Sequence, residues 1–411
     1  MTLVSPPVSV SRYAWMVLAL LWPVALLNYM DRQMLAAMKY SVMGDIQGLD
    51  SEAQWGLLPA VFKWVYALLS PLGGYLADRF SKKIVITVSL FVWSAVTWAT
   101  GHALTFDHLI WSRALMGISE ACYIPAALAM IADYHSGPTR SKAIGIHQMA
   151  IYVGVMIGGF SGYAADAPNL GWRWAFDAAG IVGVVYAIPL FVFLKNKPVV
   201  ADGAVAKPSV GGALSELLTN KYFVMLVLYF TLPALAGWVI KDWMPAILKS
   251  QFNIGQGKAG VSATLYVNIA SLIGAVVGGI LADRWMKKTI RGRIYISAIG
   301  MSFLIPALFG VGNASTLFIA ICFLALFGLG WGFFDCNNMP ILCQIVRPEL
   351  RATGYGIMNL VSISCGGFAD WGFGVMRDHG IALNLIFGVF ASVCVLSAAL
   401  VLLIKPRSNL N

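Results

Sequence analysis

Long apolar runs separated by short polar breaks fill the chain from end to end. Runs of roughly 20 residues, enough to cross about 30 Å of hydrocarbon as a helix, lie at 14–40, 54–77, 83–104, 107–134, 140–165, 172–194, 222–249, 258–283, 291–311, 315–345, 351–376 and 381–404. The backbone in lipid must satisfy its own hydrogen bonds, which favours helices for runs of this length. The pattern therefore predicts an all-α membrane protein with twelve transmembrane helices. The longest polar interruption, 196–220, holds Pro198, Pro208 and Gly211-Gly212 and reads as a linker without a core of its own. It separates an N-terminal six-helix bundle, 1–195, from a C-terminal one, 221–411.

Composition agrees with this reading and narrows it. Of 411 residues 59% are hydrophobic and 11% charged, a balance that excludes a soluble globular protein. The net charge of +10 would suggest nucleic acid in a soluble chain, but its distribution follows the cytoplasmic-loop rule. Alternate connections carry Arg79, Lys82 and Lys83, then Arg140 and Lys142, then Lys195, Lys197, Lys207 and Lys221, then Arg284, Lys287, Lys288, Arg291 and Arg293. The opposite connections keep only Arg173, Lys249, Lys258 and Arg377. Both termini are expected in the cytoplasm, and no nucleic-acid partner is expected. The six cysteines all fall in apolar stretches without zinc-type spacing, the five histidines are scattered, and no GxxxxGK[ST] loop is present. The sequence points away from an enzyme and from ATP. It needs no cofactor, and an ion gradient would drive it, a proton gradient first and sodium as the alternative.

Charges inside the apolar runs carry the functional signal. Arg113 and Glu120 in WSRALMGISEACYIP are seven residues apart, close to two helical turns, so they share one face about 10 Å apart along the axis. An ionisable group in the bilayer costs several kcal/mol, so that face turns towards a bundle interior or a watery cavity. Guanidinium stays charged and grips a carboxylate with paired hydrogen bonds, which suits Arg32 and Arg113 to bind an organic anion. A carboxyl group can be switched off by a proton, which makes Glu120 and Asp31 the proton-coupling candidates. The alternative reading for each pair is a salt bridge that only locks helices. Asp31 and Arg32 point about 100° apart and cannot both aim at one partner. Lys39, Lys63 and Lys241 are further cations inside apolar runs, and Asp335 and Asp370 are further acids. Hydroxyl-binding candidates are Tyr29, the pair Gln148 and Tyr152, four apart on one face, and Asn337, Asn338 and Asn359 in the second half. Each of these also fits a role as interhelical glue.

The chain repeats itself. Gly73-Gly74-Tyr75-Leu76-Ala77-Asp78-Arg79 recurs 205 residues later as Gly278-Gly279-Ile280-Leu281-Ala282-Asp283-Arg284, each followed by a double lysine after two more residues. Two duplicated halves with a site between them is a transporter architecture. The repeated element resembles the signature loop of the major facilitator superfamily over essentially the whole chain, with Ser81 and Met286 where that pattern has Gly. The resemblance implies the major facilitator fold, alternating access, and a gating role for Asp78, Arg79, Asp283 and Arg284. Within it, Asn28-Tyr29-Met30-Asp31-Arg32 together with Arg113-x6-Glu120-Ala121-x3-Pro125 resembles the anion:cation symporters, the sialin-like carriers and bacterial hexuronate and aldonate permeases. That likeness places Arg32 and Arg113 in the central cavity, adds Tyr66 to its lining, and implies proton-coupled symport of a sugar acid. The Asn-Tyr-Met-Asp-Arg start is shared with spinster-like carriers, so the alternative is a facilitator or antiporter of another amphipathic or neutral solute. The expected partners are a small organic anion and the lipid bilayer, and the expected setting is a monomer in a bacterial inner membrane.

Overall fold

The apolar runs do form helices. A computed structural model describes residues 12–135, 138–197 and 210–406. Its helices in chain order are α1 (Arg12–Ala37), α2 (Lys39–Met43), α3 (Glu52–Arg79), α4 (Lys82–Gly101), α5 (Phe106–Ala121), α6 (Tyr123–Tyr134), α7 (Pro138–Asp166), α8 (Gly171–Phe193), α9 (Val210–Thr219), α10 (Lys221–Phe252), α11 (Gln256–Met286), α12 (Gly292–Gly312), α13 (Leu317–Ile345), α14 (Arg351–Asp378) and α15 (Leu383–Leu403). Eleven spans, with α5 and α6 counted as one, are long and apolar enough to cross a membrane. The twelfth, α14, has 28 residues, and its glycines, serines and charged ends lower its apolarity. An even number of spans in each set brings both ends of the described chain and α9 to one side, here the linker face. The opposite side is the distal face.

Two details differ from the reading of the sequence. The span at 107–134 breaks between α5 and α6, because Pro125 has no N–H to offer the carbonyl of Ala121, and Gly73 of α3 packs against that same carbonyl with no room for a Cβ. The second part of the 196–220 linker is helical and packs on the core of the second half. Residues 210–219 form α9, Ala213 and Leu217 are buried one turn apart, and Asn220 caps α10 by accepting from the N–H groups of Tyr222 and Phe223. Pro198 and Pro208 lie outside the described residues.

Helices α1 to α8 surround one apolar core that includes Leu21, Trp93, Tyr123 and Ile131. A second core runs through the later helices and across the distal contact between the halves. That contact repeats itself. Asp166, at the end of α7, accepts from the Gly257 N–H at the start of α11 at 2.8 Å. Asp378, at the end of α14, accepts from the Glu52 and Ala53 N–H groups at the start of α3, both at 2.8 Å. A helix start has unpaired N–H donors and the positive end of the dipole, so each carboxylate closes a clasp on the other half. Gly162 and Gly374 stand one turn before these aspartates and press on the same helix starts, where a Cβ would collide with backbone. Glu52 and Gly257 are 205 residues apart, the spacing of the duplicated loop. Lys39 sits beside the second clasp, paired with Glu52, and burial pushes its ammonium below the usual lysine range while Glu52 opposes the shift.

Among the described residues, the hydrogen bonds and ion pairs that join the two halves lie between the distal face and the middle of the helices. Towards the linker side, Gln148 of α7, Asp335 of α13 and Tyr355 of α14 are exposed although each lies within a membrane helix. The molecule is closed at its distal mouth and open towards the linker face. Exposed caps contribute about 1 kcal/mol each, so Asp166→Asn combined with Asp378→Asn is expected to raise the distal-open population roughly tenfold or more. Spin-label distances between the distal ends of α3 and α14 measure it, and unchanged distances would show that the clasps do not hold the mouth.

Candidate functional site

The break after α5 leaves Glu120 in the protein interior. Gly117 brings α5 so close to α3 that an added Cβ would meet the Phe62 carbonyl, and this contact carries Phe62 and Tyr66 to the same place. Arg32 of α1 donates to Glu120, Nε to Oε2 at 2.7 Å, and its Nη2 lies 2.5 Å from the same oxygen. Nη2 also donates to Asn28 Oδ1 at 3.1 Å, one helical turn back. The guanidinium is boxed by rings, with centroids at 4.6 Å for Tyr29, 4.6 Å for Phe62 and 5.1 Å for Tyr66. Aromatic faces attract a cation and cost little desolvation, so Arg32 stays charged in a site where Glu120 has no exposure at all.

The neighbouring residue points elsewhere, as helical geometry requires. Asp31 turns towards α4, where Thr97 donates to its Oδ2 at 3.0 Å. Its other oxygen has no partner among the described residues. Arg113, 3% exposed, donates through Nη2 to Thr100 at 3.1 Å, and its Nε has no hydrogen-bond partner. No carboxylate lies within 4 Å of Arg113 among the described residues. One arginine therefore touches a carboxylate, and the other feels Glu120 and Asp31 only at longer range. Both line the closed end of the central cavity with Phe62, Lys63, Trp238, Lys241 and Asp242.

The second half contributes its own charges. Lys63 of α3 is gripped by Asp242 of α10 and Asp370 of α14 and lies 4.3 Å from the Trp238 ring. Lys241 rests on the rings of Tyr29 at 4.9 Å and Trp238 at 5.0 Å, and Gln33 donates to its carbonyl. Asp335 lies midway along α13 yet is exposed, and it interacts electrostatically with Tyr152 of α7 and Tyr355 of α14. It faces the open part of the cavity.

The other candidates divide. Tyr29 and Tyr66 pack on the Arg32 guanidinium beside the cavity, Tyr152 interacts with Asp335 and Tyr29, and Gln148 is exposed one turn from Tyr152. Asn338 is buried beside Asp335. Asn337 is fully buried, accepts from Arg293 and donates to the Phe333 carbonyl, so it ties α12 to α13. Asn359 donates to its own helix at Tyr355. Arg79, exposed, lies over Tyr75, Arg293 donates to Asp283 at 2.7 Å, and Arg284 is exposed. The side chain of Asp78 lies outside the described residues. The reading of the sequence did not single out Asn28, Phe62, Thr97, Thr100, Trp238 or Asp242. Asn28 had a signal, since it stands four residues before Arg32, and Asp242 had one as an acid inside an apolar run. The others carry no mark in the sequence, because only the approach of α3, α4 and α10 gives them a role.

Twelve spans in two duplicated halves, with a charged cavity between them closed on one side and open on the other, define an alternating-access membrane carrier. Residues 21–369 match the Major Facilitator Superfamily, and the chain belongs to that family. It is 29% identical to Protein spinster of Drosophila melanogaster over 87% of this chain and 61% of that one. It is 26% identical to the Sphingosine-1-phosphate transporter SPNS2 of Xenopus tropicalis over 82% of this chain and 68% of that protein. The chain thus spans about three fifths of the length of the Drosophila relative. Among solved structures it is similar to a bacterial homologue of the human lysosomal transporter Spinster in an inward-facing, occupied conformation, with TM-score 0.80, 20% identity, and coverage of 96% and 97%. It also resembles a D-xylose-proton symporter, with TM-score 0.75, 16% identity, and coverage of 97% and 100%. The superfamily expectation holds. The narrower likeness to anion:cation symporters gives way to the spinster-like alternative, because the Asn-Tyr-Met-Asp-Arg start is common to both groups while likeness along the whole chain runs to spinster proteins.

Removing one partner of a buried ion pair strands the other, at a cost of about 3 kcal/mol or more. Glu120→Ala is therefore expected to lower the melting temperature by several degrees in detergent, and adding Arg32→Ala should recover most of the loss. Additive losses would show that the two side chains are not coupled.

Proposed function

We infer that the protein is a secondary active carrier for an amphipathic anion, with the acidic head held at Arg113 and the apolar part lodged against the cavity's rings. The observation that carries this reading is the contrast between the two arginines. Arg32 is matched by Glu120, whereas Arg113, equally deep, has a free Nε and no carboxylate beside it. Glu120 and Asp31 act on Arg113 only from a distance, and a dry cation that touches no carboxylate can take an anion directly. The walls, Tyr29, Phe62, Tyr66 and Trp238, are aromatic, which suits an apolar chain better than a sugar rich in hydroxyl groups. Relatives named as sphingosine-1-phosphate transporters support an amphipath with an acidic head over a sugar acid.

Proton linkage follows from the Arg32–Glu120 pair. A proton on Glu120 cancels its charge, frees Arg32, and gives the anion a second guanidinium; loss of that proton returns Arg32 to Glu120. Acid is then expected to strengthen anion binding, and Asp31, turned to Thr97, is the second acid on the same helix. The excess of lysine and arginine on the linker face makes that face cytoplasmic, so the conformation described above is inward-facing.

The test is thermal unfolding of the purified protein with dodecyl phosphate, dodecanoate or glucuronate, because a ligand of the folded form raises its melting point. Both amphipaths are expected to stabilise the wild type, more strongly near pH 6 than near pH 8, and Arg113→Ala should lose the effect. Stabilisation by glucuronate alone, or an Arg113→Ala variant that responds like wild type, would overturn the reading.

A further inference from the structure

The duplication supplies an internal control for every residue at the contact between the halves. Glycines 212 residues apart make equivalent contacts, Gly154 on Leu26 and Gly366 on Trp238, and Gly162 on Gln256 and Gly374 on Glu52. On α3 and α11 the offset is 205, as for Glu52 and Gly257. By these offsets Lys63 corresponds to Asn268, Asp370 to Gly158 and Asp242 to Met30. All three charged positions of the Lys63 cluster have uncharged counterparts. The sister contact, α7 against α11, closes through Gly159 on Gly260, each too close to the other's carbonyl to admit a Cβ. Among the described residues, Asn268 there bonds only its own helix, at the Thr264 carbonyl. Apart from the Asp166 clasp at its rim, the sister contact closes without charge in its buried middle, so the buried charges on the α3, α10 and α14 side serve something else.

The two acids of the cluster differ in what they face. Asp370 has no exposure, and its Oδ1 has no partner among the described residues. Asp242 lines the cavity and retains 12% exposure. The Lys63 ammonium touches one oxygen of each. We propose that Lys63, Asp242 and Asp370 form a second coupling centre, distinct from Glu120, that passes a proton between the distal interface and the central cavity. This rests on the carrier reading but not on the identity of the solute. While the distal mouth is open, α14 stands away from α3 and Asp370 exchanges its proton with distal water. When the mouth closes, the Lys63 ammonium first passes a proton to the Asp242 carboxylate, the neutral amine then takes the proton of the Asp370 carboxyl, and Asp242 releases the proton it received to the cavity. Lysine ends as ammonium, as it began; Asp370 has lost a proton and Asp242 has gained and released one. Two carboxylates on one ammonium leave one negative charge in a dry contact, so a bound proton favours the closed mouth. The charged groups facing the cluster are Lys241 on α10, Arg32 on α1 and Arg113 and Glu120 on α5. Lys241 lies on two rings with no carboxylate within 4 Å of its ammonium among the described residues, and it acts on Asp242 only at longer range, so it offsets that charge in part.

The experiment needs no substrate. Spin labels at the distal ends of α3 and α14 report the open fraction of the full chain in lipid nanodiscs from about pH 5.5 to about pH 9, above the range where exposed rim carboxylates titrate. The wild type is expected to open progressively as pH rises. Asp370→Asn should reduce that pH-dependent change to less than about a third, and Asp370→Glu should restore it. If Asp370→Asn does not fold, as judged by size-exclusion chromatography, Asp242→Asn is measured and is expected to flatten the profile likewise. A wild type insensitive to pH overturns the proposal, and so does a variant with the wild-type midpoint and amplitude. A variant whose open fraction shifts equally at every pH would assign the cluster a purely mechanical role. None of these outcomes bears on anion binding at Arg113, which the melting experiment reads separately.

Discussion

A charge in a dry, apolar interior must be matched, and the structure is arranged around the ways its charges meet that demand. Arg32 is matched twice, by the Glu120 carboxylate and by a ring of aromatic faces. Lys63 is over-matched by two carboxylates from the opposite half. Arg113 is matched least directly, with the Thr100 hydroxyl in contact and Glu120 and Asp31 at longer range. These three states of balance sit around one cavity. In the proposed cycle a mobile anion would bind at Arg113 and a mobile proton would remove the surplus at Lys63.

The rest of the architecture brings these groups together and lets them separate. The break at Pro125 and the close approach at Gly117 set Glu120, Phe62 and Tyr66 around Arg32. Glycine contacts and two carboxylate clasps close the distal mouth over the cavity. Such contacts suit a gate, because backbone packed on backbone needs no side chain to reorder, and exposed caps are individually weak. The halves share a duplicated closing device, while the coupling chemistry is concentrated in α1, α5, α3, α10 and α14 without symmetry. Duplication supplied the gate, and divergence of single positions, Asn268 against Lys63 and Gly158 against Asp370, supplied the charge.

Much of this was legible in the order of residues. Twelve spans followed from apolar run length, and the pairing of halves followed from the repeated Gly-Gly-x-Leu-Ala-Asp-Arg element, because both are local properties of the chain. The key residues Arg32, Arg113, Glu120 and Asp31 stood out because a charge in an apolar run is conspicuous. Their partners were not legible. Arg113 and Glu120 share a helix face, yet Glu120 pairs with Arg32, 88 residues away, since the contact depends on how α1 and α5 meet. Lys63 found its carboxylates in the other half for the same reason. The narrower likeness rested on two short stretches, Asn28 to Arg32 and Arg113 to Pro125, the first of which spinster-like carriers share; the aromatic side chains around Arg32 are spread over α1 and α3 and form no motif.

The central claim is that the unmatched guanidinium of Arg113 receives the anion. Its most direct test is a density map of the protein saturated with dodecyl phosphate. The account predicts a phosphate within about 3 Å of the Arg113 nitrogens and an alkyl chain against Tyr29, Tyr66 and Trp238. A headgroup bound elsewhere, with Arg113 still turned to Thr100 alone, would contradict it.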